Sequence, residues 1–64
     1  MNFEDVKTNA ISLCEKKDTK IIIENNSFEI YGITFYDDLK IRNNNGWFEA
    51  DSFEEMWKII QILV

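Results

Sequence analysis

Phe3, Val6, Ala10, Leu13 and Cys14 recur three and four residues apart, which predicts a helix over residues 2–17 with Ile11 on the flank of its apolar stripe. Asn2 is a capping residue at the start. Glu4 and Asp5 suit the positive end of the helix dipole, and Lys16 and Lys17 the negative end.

Beyond residue 20 the period shortens to that of strands. Residues 20–24 and 27–31 are β-branched and aromatic runs on either side of Asn25-Asn26, a pair that tolerates a tight hairpin turn, and the hairpin sets Ile21 and Ile23 with Phe28 and Ile30 on one face. Residues 39–42 and 47–50 flank Asn43-Asn44-Asn45-Gly46 as a second hairpin, with Leu39, Ile41, Phe48 and Ala50 inward and Lys40, Arg42, Trp47, Glu49 and Asp51 on the opposite face. Between the hairpins, residues 32–38 admit two readings. A strand running straight through Gly32 turns Ile33 and Phe35 outward, whereas a bulge or break at Gly32 turns them inward; the second buries more apolar area and is favoured.

Ser52-Phe53-Glu54-Glu55 is a capping-box sequence, with Ser52 and Glu55 positioned to satisfy unpaired backbone donors. Phe53, Met56, Trp57, Ile60, Leu63 and Val64 follow at helical spacing, which predicts the last helix. The pattern as a whole predicts an α+β domain over residues 1–64. Its order is α-β-β-β(-β)-α, an antiparallel sheet of three or four strands packed against the N- and C-terminal helices. Ile59 and Ile62 fall off the main stripe of the last helix, and Ile22 and Trp47 face away from the core; such residues suit a homodimer or partner interface.

Composition narrows the chemistry. With 64 residues, 45% hydrophobic and 30% charged, the chain suits a single small globular domain that has no room for a deep cleft. There is no histidine and one cysteine, so neither an internal disulfide nor the usual Cys/His zinc site is available. Cys14 lies on the apolar stripe of the first helix, where a thiol behaves as a small hydrophobe, and no base stands ready to activate it. No signal-peptide-like start and no long apolar run occur, so the sequence predicts a cytoplasmic protein that is neither secreted nor membrane-spanning. Seven basic residues against twelve acidic ones leave a net charge of −5, which repels nucleic-acid phosphates and anionic lipid.

The acids could serve a metal, a helix terminus or a partner. Asp37-Asp38 and the group Glu49, Asp51, Glu54 and Glu55 lack the spacing and glycine of a calcium loop, and the sequence predicts no metal, no cofactor and no catalysis. Glu54 and Glu55 suit the start of the last helix, and Glu49 and Asp51 are placed to pair with Lys40 and Arg42 across the hairpin. Exposed Tyr36 and Trp47 beside Asp37, Asp38, Glu49, Asp51, Glu54 and Glu55 make a candidate partner-binding surface, carboxylates with aromatic anchors, for a protein with a basic groove.

In element order the chain resembles the double-stranded-RNA-binding domain, but Asp51-Ser52-Phe53-Glu54-Glu55 stands where that family carries phosphate-straddling lysines, which argues against direct nucleic-acid binding. In size, charge and helix-sheet-helix order it resembles the small acidic phage inhibitors of the anti-CRISPR class. That resemblance implies a non-enzymatic, nucleic-acid-mimicking inhibitor of a nucleic-acid-processing partner in a bacterial host. The alternative is a small structural or regulatory homodimer that uses apolar helix and sheet surface.

Overall fold

A computed structural model describes all of residues 1–64. Helix α1 spans Phe3–Lys16 and is capped as its polar start predicts: Asn2 Oδ1 accepts the Asp5 N–H, and Asp5 Oδ2 accepts the Asn2 N–H, each at 2.9 Å. Two donors that a helix start leaves unpaired are thus satisfied reciprocally. At the far end Asp18 turns left-handed, φ 55°, and the N–H groups of Thr19 and Asp18 fold back onto the carbonyls of Cys14 and Glu15 at 2.8 and 3.3 Å. These are the two bonds of a Schellman closure.

Five strands follow: β1 Ile22–Ile23, β2 Ser27–Ile30, β3 Ile33–Tyr36, β4 Lys40–Asn43 and β5 Gly46–Glu49, then helix α2, Phe53–Leu63. They form one antiparallel sheet in chain order. The α+β fold has the expected element order, with one strand more than the upper number expected, because residues 32–38 contribute a strand of their own. The predicted first strand shrinks to two paired residues.

At Gly32 the chain breaks and reverses. Tyr31 and Gly32 both have positive φ, 55° and 77°, the geometry of a two-residue hairpin turn whose twist matches that of its strands, and Ile30 stands opposite Ile33. The reversal turns Ile33 and Phe35 inward, the orientation that apolar burial favoured; Phe35 is fully buried and Ile33 packs against the core. The β3–β4 connection contains an extra residue: Phe35 pairs with Ile41, and Leu39 sits outside the ladder at φ 73° with its N–H on the Tyr36 carbonyl at 3.2 Å. A left-handed leucine costs on the order of 1 kcal/mol. Its side chain packs against the core, and its carbonyl accepts the Ala50 N–H at 2.9 Å, which holds it there.

Both helices cover the same face of the sheet. Phe28, Ile30, Phe35 and Ile41 meet Phe3, Val6, Ala10 and Cys14 of α1 and Met56 and Ile60 of α2, with Ala50 closing the core. The rings of Phe3, Phe28 and Phe35 stack in series, with centroids 5.5 and 5.3 Å apart. No helix covers the other face, where Ile22, Glu29, Thr34, Arg42 and Trp47 lie side by side in register across the five strands. Three apolar positions differ from expectation, the first being Ile23, which stands opposite Phe28 yet is 43% exposed on the edge strand β1. Phe48 points to the helix side but is 46% exposed, because β5 is an edge strand; Ile59 packs against the core, leaving Ile62 as the exposed isoleucine of α2. No helix is long and apolar enough to cross a membrane.

Candidate functional site

Helix capping, turn geometry and strand register bring the predicted site residues to one end of the molecule. The Asp37 N–H donates to the Asn26 carbonyl at 3.1 Å, which sets the β3–β4 turn beside the β1–β2 turn. Leu39 and Ala50 are joined by a backbone bond, so Asp37 and Asp38 sit next to the chain entering α2, where Asp51, Glu54 and Glu55 lie. Glu54 in turn reaches the N-terminal ammonium at 3.3 Å, drawing the start of α1 to the start of α2. The N-termini of both helices therefore share this end with two hairpin turns. Their dipoles favour the surrounding carboxylates.

The opposite end mixes charges of both signs, with Lys16, Lys17 and Lys20 among Glu15 and Asp18. Thr19 Oγ1 lies 3.2 Å from the hydroxyl of Tyr31 in the β2–β3 turn, which anchors the end of α1 and its Lys16, Lys17 and Lys20 at the pole away from Asp37. The lysines at the end of α1 thus lie apart from the acids around Asp37, a separation that the net charge does not reveal.

Several carboxylates have partners other than those expected. Lys40 stands opposite Glu49 in the register, yet its ammonium pairs with Asp38 Oδ2 at 3.7 Å while its N–H donates to Asp38 Oδ1 at 3.3 Å. The turn aspartate is nearer in sequence and already fixed by the backbone bond, so it outcompetes the cross-strand acid. Arg42 does not pair with Asp51; its guanidinium lies over the Trp47 ring, 5.6 Å from the centroid. Glu55 Oε1 accepts from the Asp51 N–H at 2.9 Å rather than from Ser52, while Ser52 Oγ accepts from the Glu55 N–H at 3.1 Å as a capping residue should. Asp37, exposed at the turn, makes no ion pair. The carboxyl of Glu54 is held below the usual range by its own backbone N–H first and then by the N-terminal ammonium.

Tyr36 and Trp47 meet on the uncovered face with centroids 5.3 Å apart, tilted by 36°; Trp47 is exposed as expected, whereas Tyr36, expected to be exposed, is half-buried. Tyr36 directly precedes Asp37, so this aromatic pair borders the acidic end. Nowhere do three His, Cys, Asp or Glu side chains converge as metal ligands would. The most polar hollow lies elsewhere on the same face, lined by Glu29, Gly32, Thr34 and Arg42. Cys14 is fully buried, and desolvation pushes its thiol pKa up.

No family model, curated protein or solved structure matches the chain. Any function must therefore be argued from the geometry. The sequence pattern missed two parts of it: the separation of the α1 lysines from the acids around Asp37, which needs the tertiary arrangement, and the capture of Lys40 by Asp38, for which the Asp-x-Lys spacing across a turn was the available signal.

Proposed function

We propose that the chain is a non-enzymatic binding module whose acidic end docks on a basic surface of a protein partner, in the manner of an inhibitor that imitates nucleic acid. The observation that carries this reading is the gathering of Asp37, Asp38, Glu49, Asp51, Glu54 and Glu55 at one pole, beside the Tyr36–Trp47 pair. Concentrated charge of one sign steers an oppositely charged partner at long range, and the exposed ring of Trp47 supplies contact once it arrives. A nucleic-acid-processing enzyme, with a groove built for phosphates, is the partner class such a surface fits.

The test is capture of binding proteins from a bacterial lysate by the tagged chain, at low and at high salt, beside Asp37→Lys combined with Asp38→Asn. Asparagine keeps the acceptor for the Lys40 N–H, so the turn persists while its charge changes sign. The expected result is a basic protein retained at low salt, released by added salt and lost with the variant. Equal retention by a folded variant, or capture that ignores salt, refutes the electrostatic reading.

A further inference from the structure

β5 forms one edge of the sheet, and its outward backbone groups can be deduced from the ladder. The Ala50 N–H donates to the Leu39 carbonyl at 2.9 Å, which makes 39/50 a hydrogen-bonded pair. Antiparallel pairs alternate between bonded and unbonded. With Lys40 opposite Glu49, Ile41 opposite Phe48 and Arg42 opposite Trp47, the 41/48 pair is bonded and the two around it are not. The N–H and C=O groups of Trp47 and Glu49 consequently point out of the sheet, away from β4.

We propose that two copies of this chain join antiparallel through β5, about a two-fold axis at Phe48, to form one continuous ten-stranded sheet. In that register Trp47 of each copy faces Glu49 of the other, and each such pair exchanges two backbone bonds, so all four outward groups of each β5 are satisfied. Registers centred on Trp47 or Glu49 leave half of them facing turn or cap residues.

Side chains agree with the backbone on both faces. On the helix side Phe48, 46% exposed, meets Phe48 of the second copy at an unbonded pair, where cross-strand side chains come closest. On the uncovered face Trp47, 57% exposed, stands opposite Glu49 of the second copy. Arg42 already lies over that Trp47 ring and has no carboxylate partner in its own chain, and Glu49 has no cation. Each completes the other across the axis. β5 also lacks the lysine, proline or bulge that commonly guards an edge, whereas the other edge, β1, has only two residues to offer. The acidic ends fall at opposite poles of this dimer, so Asp37 and Glu54 stay open to a partner.

Sedimentation of the full chain across micromolar to millimolar concentration tests the pairing. The expected result is a doubling of mass with concentration. Glu49→Pro deletes an N–H that the β4–β5 ladder does not use, together with the carboxylate that meets Arg42 of the second copy, so it should leave the circular dichroism native and weaken the dimer by at least about 30-fold, the effect of the one backbone bond lost per copy. Arg42→Glu should weaken it too, and Arg42→Glu with Glu49→Arg should restore it; this exchange decides the matter if the proline variant fails to fold. A wild-type monomer at millimolar concentration overturns the proposal, as does a natively folded Glu49→Pro that pairs as well as wild type, or a charge exchange that rescues nothing.

Discussion

Replacing Ser52 with alanine isolates the start of α2. Ser52 Oγ accepts the Glu55 N–H at 3.1 Å, and the Glu55 carboxylate accepts the Asp51 N–H at 2.9 Å, so alanine removes one half of a two-bond clamp and loosens the other. The loss of such a cap costs about 1 kcal/mol. With roughly 2.1 cal/mol/K of unfolding entropy per residue, 64 residues give about 0.13 kcal/mol/K, so the melting temperature should fall by about 7 °C. Against a total stability on the order of 3–10 kcal/mol for a chain of this size, that is a sizeable fraction. The assay is thermal unfolding followed by far-UV circular dichroism, with Ser52→Asn as the control that restores an acceptor at the same place. If Ser52→Ala melts with wild type, or Ser52→Asn melts as low as Ser52→Ala, the side chain is not what starts this helix.

Two further outcomes test the other end of the chain and the core. Asp18→Gly should raise stability by up to about 1 kcal/mol, because glycine adopts φ 55° freely and removes a negative charge from the C-terminal end of α1; a lower urea midpoint would count against the Schellman closure. Cys14→Ala should cost on the order of 1 kcal/mol through a small cavity and keep partner binding. In wild type the thiol should react with disulfide reagents only as fast as the protein opens. Because burial raises the thiol pKa, its contribution to stability is full below the ordinary thiol value and is lost as pH rises through the folded one, so urea midpoints should fall in strong alkali in wild type more than in Cys14→Ala.

Much of the fold is legible in the chain itself, for local reasons. Three-and-four spacing identified both helices, Asn2 and Ser52 marked their starts, and Asn25-Asn26 and Asn43-Asn44-Asn45-Gly46 marked two hairpins, since caps and turns are decided by a few adjacent residues. Gly32 was legible as an interruption. That it is a reversal creating a fifth strand was decided by tertiary packing, which turns Phe35 into the same core as Phe3 and Phe28. The candidate site divides the same way. Which residues carry negative charge, and the absence of histidine, are properties of the sequence. Their convergence at one pole depends on the Leu39–Ala50 and Asp37–Asn26 bonds, which join residues 11 apart in both cases. Likewise the competition that gives Lys40 to Asp38 rather than Glu49, and the outward direction of the Trp47 and Glu49 backbone groups, follow from three-dimensional register. Spacing along the chain carries face parity, but it does not say which face the helices cover or which strand is left at the edge.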